Sequence, residues 1–385
     1  MHALPYWRLS GYYFFYFAFI GAFSPYFGLY LKSLNFSAWD IGLLMSQMQL
    51  MRIFGPNLWG WLADRHGDRA RIIRLAGVIS LAGFTAFFWL DRLPGMLLAM
   101  ALLAFFWSAA LPLVEVLTFD HLRDEPARYS RIRLWGSVGF IAAVMGTGAV
   151  LDRAPPGSVL WVCWSALLGI LLLALALPES RAPAPAQAPP PIMAILRQPR
   201  VAALMAACFA MSAAHGAFYV FYSIHLAAHG YSGAEVGLLW SLGVVAEILV
   251  FFWMSRLSSR FTLRAILLAC FAAAVPRFLL MGWGVESAWL MALSQCLHGL
   301  TFGACHASAI AAVSAWFPGS ARSRGQALYS SLSFGAGSLL GTLASGLIWD
   351  SWGAGWTFSV NALFALLGLL LVWRWVGEPG AGFHL

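Results

Sequence analysis

The stretch Leu34–Ser46, LNFSAWDIGLLMS, returns in the second half of the chain as His229–Ser241, HGYSGAEVGLLWS. Ser37 matches Ser232, an offset of 195 residues in a chain of 385. In each copy a polar turn carrying an acid, Asp40 or Glu235, opens a long apolar run through Gly-Leu-Leu. A period this long is a duplicated domain, because solenoid units are far shorter. A second echo agrees: Gly146–Asp152 reads GTGAVLD and Leu343–Asp350 reads LASGLIWD.

The chain is 61% hydrophobic and only 10% charged. A soluble globule carries about a quarter charged residues, so lipid must be the solvent here. Apolar runs between polar punctuation predict twelve spans: 6–31, 39–63, 71–90, 94–119, 130–151 and 157–177, then 201–226, 234–256, 263–282, 287–315, 325–349 and 354–376. Each has roughly the 20 residues a hydrocarbon core requires. The Pro-rich stretch containing RAPAPAQAPPP cannot be helical throughout and reads as an extended linker. The expected fold is therefore all-α and membrane-embedded. Two pseudo-symmetric six-helix bundles, 1–178 and 200–385, flank a linker at 179–199.

Most of the 23 basic residues fall in alternate loops, while the opposite side holds only Lys32, Arg92 and Arg153. By the positive-inside rule both termini are cytoplasmic. The net charge of +8 is spread over short loops and makes no continuous basic face, which argues against nucleic acid. The first apolar run is too long for a cleaved leader and reads as a retained span. The cysteines lack metal-like spacing; Cys270, Cys296 and Cys305 read as small core residues. The cluster Asp120, His121, Asp124 and Glu125 reads as solvated loop charge, so no metal, cofactor or enzymatic chemistry is expected. Arg outnumbers Lys 22 to 1, an association with GC-rich bacterial genomes, and the expected location is a bacterial inner membrane.

The loop after the second span, GWLADRHGDRAR (Gly60–Arg71), places Asp64 at a helix C-terminus, where a negative charge opposes the macrodipole. This pattern of Gly60, Asp64, Arg65, Gly67 and Arg69 resembles the signature gate loop of the major facilitator superfamily. The resemblance implies that Asp64 braces against the eleventh helix, which Arg322 and Arg324 precede. RIRLWGSVGF (Arg131–Phe140), Ala213–Phe252 and CLHGLTFGACHASA (Cys296–Ala309) are similar to the branch of lactose permease, nucleoside permeases and 3-phenylpropionate transporters, most of all the last. The resemblance implies a transporter working by alternating access. Its drive would be a proton gradient, and its habit monomeric.

Ionisable side chains inside hydrocarbon are costly and mark function by default. Glu115 and Arg133 lie at similar depth on consecutive antiparallel helices, which predicts a salt bridge; lactose permease holds substrate at the matching positions. Glu247, Arg277 and His298 match an acid, an arginine and a histidine that couple proton and substrate in that permease. One departure is Thr301, where a proton-carrying glutamate is expected. Glu247 beside Arg277 is then a candidate coupling acid, as is Glu115. Arg52 is a candidate receptor for a substrate carboxylate through bidentate hydrogen bonding. His215 lies near mid-membrane, and Tyr16, Tyr219 and Trp240 supply aromatic surface. The favoured substrate is a small aromatic or hydrophobic carboxylate, taken up with protons. Sugars or nucleosides are the alternative, and a substrate sensor on the same scaffold is the reading of a different class.

Overall fold

A computed structural model describes residues 4–122, 128–179, 192–319 and 321–377. Among them there is no β-strand. In hydrocarbon a helix satisfies its own backbone hydrogen bonds, whereas an open strand edge cannot. The helices are α1 (Tyr6–Ser33), α2 (Ala38–His66), α3 (Arg69–Thr85), α4 (Leu93–Leu122), α5 (Tyr129–Leu151) and α6 (Ser158–Ala176). There follow α7 (Met193–Leu196), α8 (Pro199–Ala214), α9 (Gly216–Ala228), α10 (Gly233–Arg260), α11 (Leu263–Trp283), α12 (Ala288–His298), α13 (Cys305–Trp316), α14 (Ala321–Ser330) and α15 (Ser338–Trp375).

Ten stretches among the described residues are long and apolar enough to cross a membrane. The last of them, Ala321–Trp375, contains both the eleventh and twelfth predicted spans, with Gly353 at φ 80° breaking the helix between two arms. The second predicted span is the 29-residue α2, which the apolar criterion omits. Gln47, Gln49, Arg52, Asn57 and Asp64 make it unusually polar. The predicted seventh span is interrupted: α8 stops at Ala214 and α9 starts at Gly216, with His215 in the break at φ −83°, ψ −3°. Of the linker, residues 180–191 lie outside the described residues. The part that follows includes the single turn α7.

The chain forms two compact units. The first comprises Met1–Phe36, Leu50–Ala186 and Ser232–Leu238; the second comprises Ser37–Gln49, Gln187–Tyr231 and Leu239–Leu385. Each unit thus includes a short segment from the opposite half of the sequence; Ser232–Leu238 lies within one copy of the repeat, and Ser37–Gln49 overlaps the other.

Inside the first unit α1 packs along α5 and α6, and α3 along α4 and α6. Inside the second, α15 packs along α8, α9 and α11. Lipid offers no hydrophobic drive for helix association, so close backbone approach has to supply it. A Cβ on Gly139 of α5 would run into the carbonyl oxygen of Phe14 on α1, and one on Gly341 into that of Ala213. Four cysteines are buried, but Cys296 is exposed. Its expected core position is corrected: α12 turns that residue away from the unit.

Gly139→Leu should destabilise the purified protein by about 3 kcal/mol or more, beyond ordinary overpacking. Gly146→Leu, on the same helix but with nothing within 4 Å of its Cβ position, should leave the thermal midpoint in detergent almost unchanged.

Candidate functional site

The loop after α2 is built from local constraints. Gly67 takes φ +67°, a conformation that suits a residue without Cβ. Asp68 then caps α3, accepting from the Arg71 amide at 3.0 Å, and Glu179 accepts from the Ala70 amide at 2.7 Å. Hydrogen bonding to Glu179, and then to the Arg71 amide, holds the Asp68 carboxyl below its usual range. Arg69 bridges two acids, Asp64 at 3.2 Å and Asp120 at 3.1 Å. Asp120 is therefore no free loop charge. It sits in the last turn of α4 with its side chain 17% exposed, where Arg69 neutralises it. Asp64, expected to brace toward the eleventh helix, is engaged by Arg69 within its own unit. His121 Nε2 lies 3.2 Å from the Pro178 carbonyl oxygen, while Asp124 and Glu125 fall outside the described residues. Gly60 has open space around its Cβ position, and the exposed Arg65 lies 5.6 Å from the Trp61 ring centroid.

In the first unit, Arg52, Glu115 and Arg133 come together around Tyr16. Tyr16 is buried and stacks on Trp107 with centroids 4.3 Å apart and planes 6° from parallel. Arg52, an exposed residue of α2, lies close enough to act electrostatically on the Tyr16 hydroxyl. The expected salt bridge between Glu115 and Arg133 is not among the ion pairs of the described residues. Glu115 instead accepts from the Tyr129 hydroxyl at 3.1 Å. The Arg133 guanidinium lies over the Phe17 ring at 3.9 Å. A cation on a ring face keeps favourable electrostatics without a carboxylate contact.

The second unit holds a denser network. Arg277 is fully buried. Its Nε donates to the Ser294 carbonyl at 3.0 Å, and its Nη1 reaches His215 Nε2 at 2.8 Å and Thr301 Oγ1 at 3.1 Å. His215 Nδ1 lies 2.8 Å from the Met211 carbonyl oxygen. A carbonyl can only accept, so Nδ1 carries the proton and Nε2 accepts from Arg277. That geometry makes His215 neutral. Arg277 Nη2 has no hydrogen-bond partner, and no ion pair among the described residues includes Arg277. Glu247 faces His298 instead, with Oε2 and Nε2 3.9 Å apart. The expected pairing of Glu247 with Arg277 is thus replaced by two neighbouring pairs, Arg277 with His215 and Glu247 with His298.

A π-helical turn, Gly299–Ala304, follows His298. Such turns insert an extra residue into a helix and recur at functional sites. Here the turn delivers Thr301 to Arg277. Sequence reading noticed Thr301 only as a missing glutamate; its place one turn after His298 was the available signal. Ser294 was missed altogether, because it acts through its backbone carbonyl. Trp240 is buried, hydrogen-bonds Ser223 at 3.0 Å and stacks on Phe218 at 4.4 Å. It fastens α10 to α9 and does not form an open aromatic wall. Tyr219 and His215 line a cavity of about 30 Å³ that continues past Thr301 to His306 and Tyr329. That is room for a water molecule or two.

The model of the MFS_1 like family matches residues 6–360. A probable 3-phenylpropionic acid transporter of Escherichia coli (strain K12) is 31% identical over 372 residues, covering 95% of this chain and 96% of the relative. The maltose permease of Geobacillus stearothermophilus is 25% identical over 364 residues, covering 94% and 92%. Among solved structures, that of the nucleoside transporter NupG superposes with a TM-score of 0.82 at 19% identity, covering 96% of this chain and 99% of that one. That of a D-xylose-proton symporter gives 0.75 at 14% identity, covering 97% of each.

Replacing Thr301 with Val would remove one of the two acceptors of Arg277 Nη1 and leave a further buried N–H unsatisfied beside Nη2. The expected loss of stability is about 1–3 kcal/mol, read as a lower thermal midpoint in detergent. Thr301→Ser, which keeps the acceptor, should restore the midpoint.

Proposed function

Because the chain belongs to the MFS_1 like family, within the major facilitator superfamily, and is therefore a membrane transporter, we propose that it carries a small aromatic or hydrophobic carboxylate together with protons. The observation that supports this most directly is the arrangement around Tyr16. Arg52, an exposed guanidinium on a membrane helix, stands beside a buried Tyr16–Trp107 stack. A planar guanidinium binds a carboxylate through paired hydrogen bonds, while the Tyr16–Trp107 stack, itself buried, packs behind it as a rigid apolar backing. The relative described as a probable 3-phenylpropionic acid transporter supports the same substrate class.

Proton coupling is assigned to the Glu247–His298 pair, with Arg277 as the neighbouring cation. Glu247 keeps 22% of its side chain accessible and His298 8%. One group can thus meet water while the other stays within the packed helices. A proton on Glu247 removes its charge and turns an acceptor facing His298 into a donor, which links its protonation to the position of α12 and the π turn. In this reading both termini are cytoplasmic and the membrane is the bacterial inner membrane, the arginine-rich loops facing inward. The maltose permease among the relatives favours neutral sugars as a second reading.

Proteoliposomes with an imposed pH gradient test the proposal. Radiolabelled 3-phenylpropionate should accumulate above its equilibrium level; accumulation of maltose or nucleosides alone would replace the substrate class. Glu247→Gln should abolish uphill accumulation while leaving exchange of substrate across the membrane intact, and unchanged uphill uptake would remove Glu247 from the proton path. Arg52→Gln should weaken carboxylate transport by about tenfold or more, the loss of one charge-assisted pair. An equal loss for a neutral substrate would make Arg52 structural.

A further inference from the structure

The two sequence echoes meet crosswise. Helix α10 begins with a closed capping box: Glu235 N donates to Ser232 Oγ at 3.2 Å, and the Glu235 carboxylate accepts from Ser232 N at 2.8 Å and from Ser232 Oγ at 2.9 Å. Helix α2 begins the same way. Asp40 N donates to Ser37 Oγ at 3.1 Å, and the Asp40 carboxylate accepts from Ser37 N at 3.2 Å and from Ser37 Oγ at 2.6 Å. A capping box satisfies the N-cap and N3 amides and leaves N1 and N2 without intrahelical partners.

Three of those four remaining amides, Gly233, Ala234 and Ala38, are taken by acids from the opposite half of the sequence. Asp152 accepts from Gly233 N and, at 3.0 Å, from Ala234 N. Asp350 accepts from Ala38 N at 2.7 Å. Asp152 is the C-cap residue of α5, where its charge opposes the dipole of its own helix and favours the N-terminus of α10. Glycines let the helices approach: a Cβ on Gly148 would strike the Gly233 carbonyl, and one on Gly346 would strike that of Ala38. Tyr26 completes the first contact, donating to Val144 O at 2.9 Å and to Gly233 O at 3.1 Å. The exchanged segments Ser37–Gln49 and Ser232–Leu238 are the helix starts held in this way.

We propose that Asp152 and Asp350 form a paired latch, each holding the start of a helix from the other half of the sequence and releasing it whenever the transporter opens on its arginine-poor face. Both carboxylates are exposed, so water replaces the lost hydrogen bonds on release. Each contact therefore holds the face closed only weakly, as a cyclic device requires. The duplication supplies one latch per half, so the two open together. This rests on the transport reading for its purpose, but its geometry does not.

The test uses purified full-length protein with Cys296→Ser, the other native cysteines being buried. Spin labels are placed on Asp91→Cys and Glu286→Cys, exposed positions in two arginine-poor loops, and the distance distribution is measured by pulsed dipolar spectroscopy. Asp152→Ala or Asp350→Ala should each raise the ratio of long-distance to short-distance populations by about fivefold, and both together by about twenty-five-fold, the effect of losing one typical cap and then two independent ones. An unchanged distribution, or a shift to shorter distances, overturns the latch. Should the alanine variants lose monodispersity on size exclusion, Asp152→Asn and Asp350→Asn, which keep an oxygen acceptor but not the charge, should give a smaller shift in the same direction; no shift in them is equally decisive. Uptake by the unsubstituted protein is measured separately. No uptake of any solute alongside a clear distance shift would sink the transport reading and leave the latch standing.

Discussion

Hydrocarbon offers no hydrogen bonds, and this constraint shapes every level of the protein. Helices satisfy their own backbone between their ends, so difficulty concentrates at termini and at polar side chains. The termini are met by capping boxes and by acids such as Asp68, Asp152 and Asp350. Many polar side chains within the spans are met by one another, although Arg277 Nη2 has no partner. Arg277 shows the stringency: it is fully buried and uses a carbonyl, a neutral imidazole and a hydroxyl as acceptors. Removing any of these leaves a donor with nowhere to turn.

The two units solve the same problem differently. In the first, Arg52, Glu115 and Arg133 are spread around Tyr16 and rely on aromatic rings and a tyrosine hydroxyl. In the second, Arg277, His215 and Thr301 are locked together, with the Glu247–His298 pair alongside. A loose, partly open cluster suits a group that must bind and release a ligand. A locked one suits a relay in which small changes of protonation are felt by rigid neighbours. The break at His215 and the π turn at Gly299–Ala304 occur in this second cluster.

Short polar side chains matter here beyond their size. Ser37 and Ser232 close capping boxes, and Thr301 accepts from a buried cation. Arg69 illustrates the same economy on the polar rim, where one guanidinium links the ends of α2, α3 and α4 through Asp64 and Asp120. The Asp64 arm, half-exposed, orients more than it stabilises, because exposed ion pairs contribute only about 0–1 kcal/mol.

Features that depend on neighbours in sequence were legible without a structure: the apolar runs, the duplication, the polar turns at Ser37 and Ser232, and the rule that intramembrane charge marks a site. The residues gathered in the two clusters were largely named in advance, since hydrocarbon makes each charge conspicuous. Their partners were not. Whether Glu115 meets Arg133 or Tyr129, and whether Arg277 meets Glu247 or His215, turns on helix rotation, a broken helix and a π turn. Each of these shifts a side chain by a fraction of a helical turn and leaves no mark on composition or period. Backbone acceptors such as the Ser294 carbonyl are invisible to residue type altogether. Sequence alone determined that charges would be buried in a twofold helical frame; only the packing of helices distant in the chain decided which atom each charge would face.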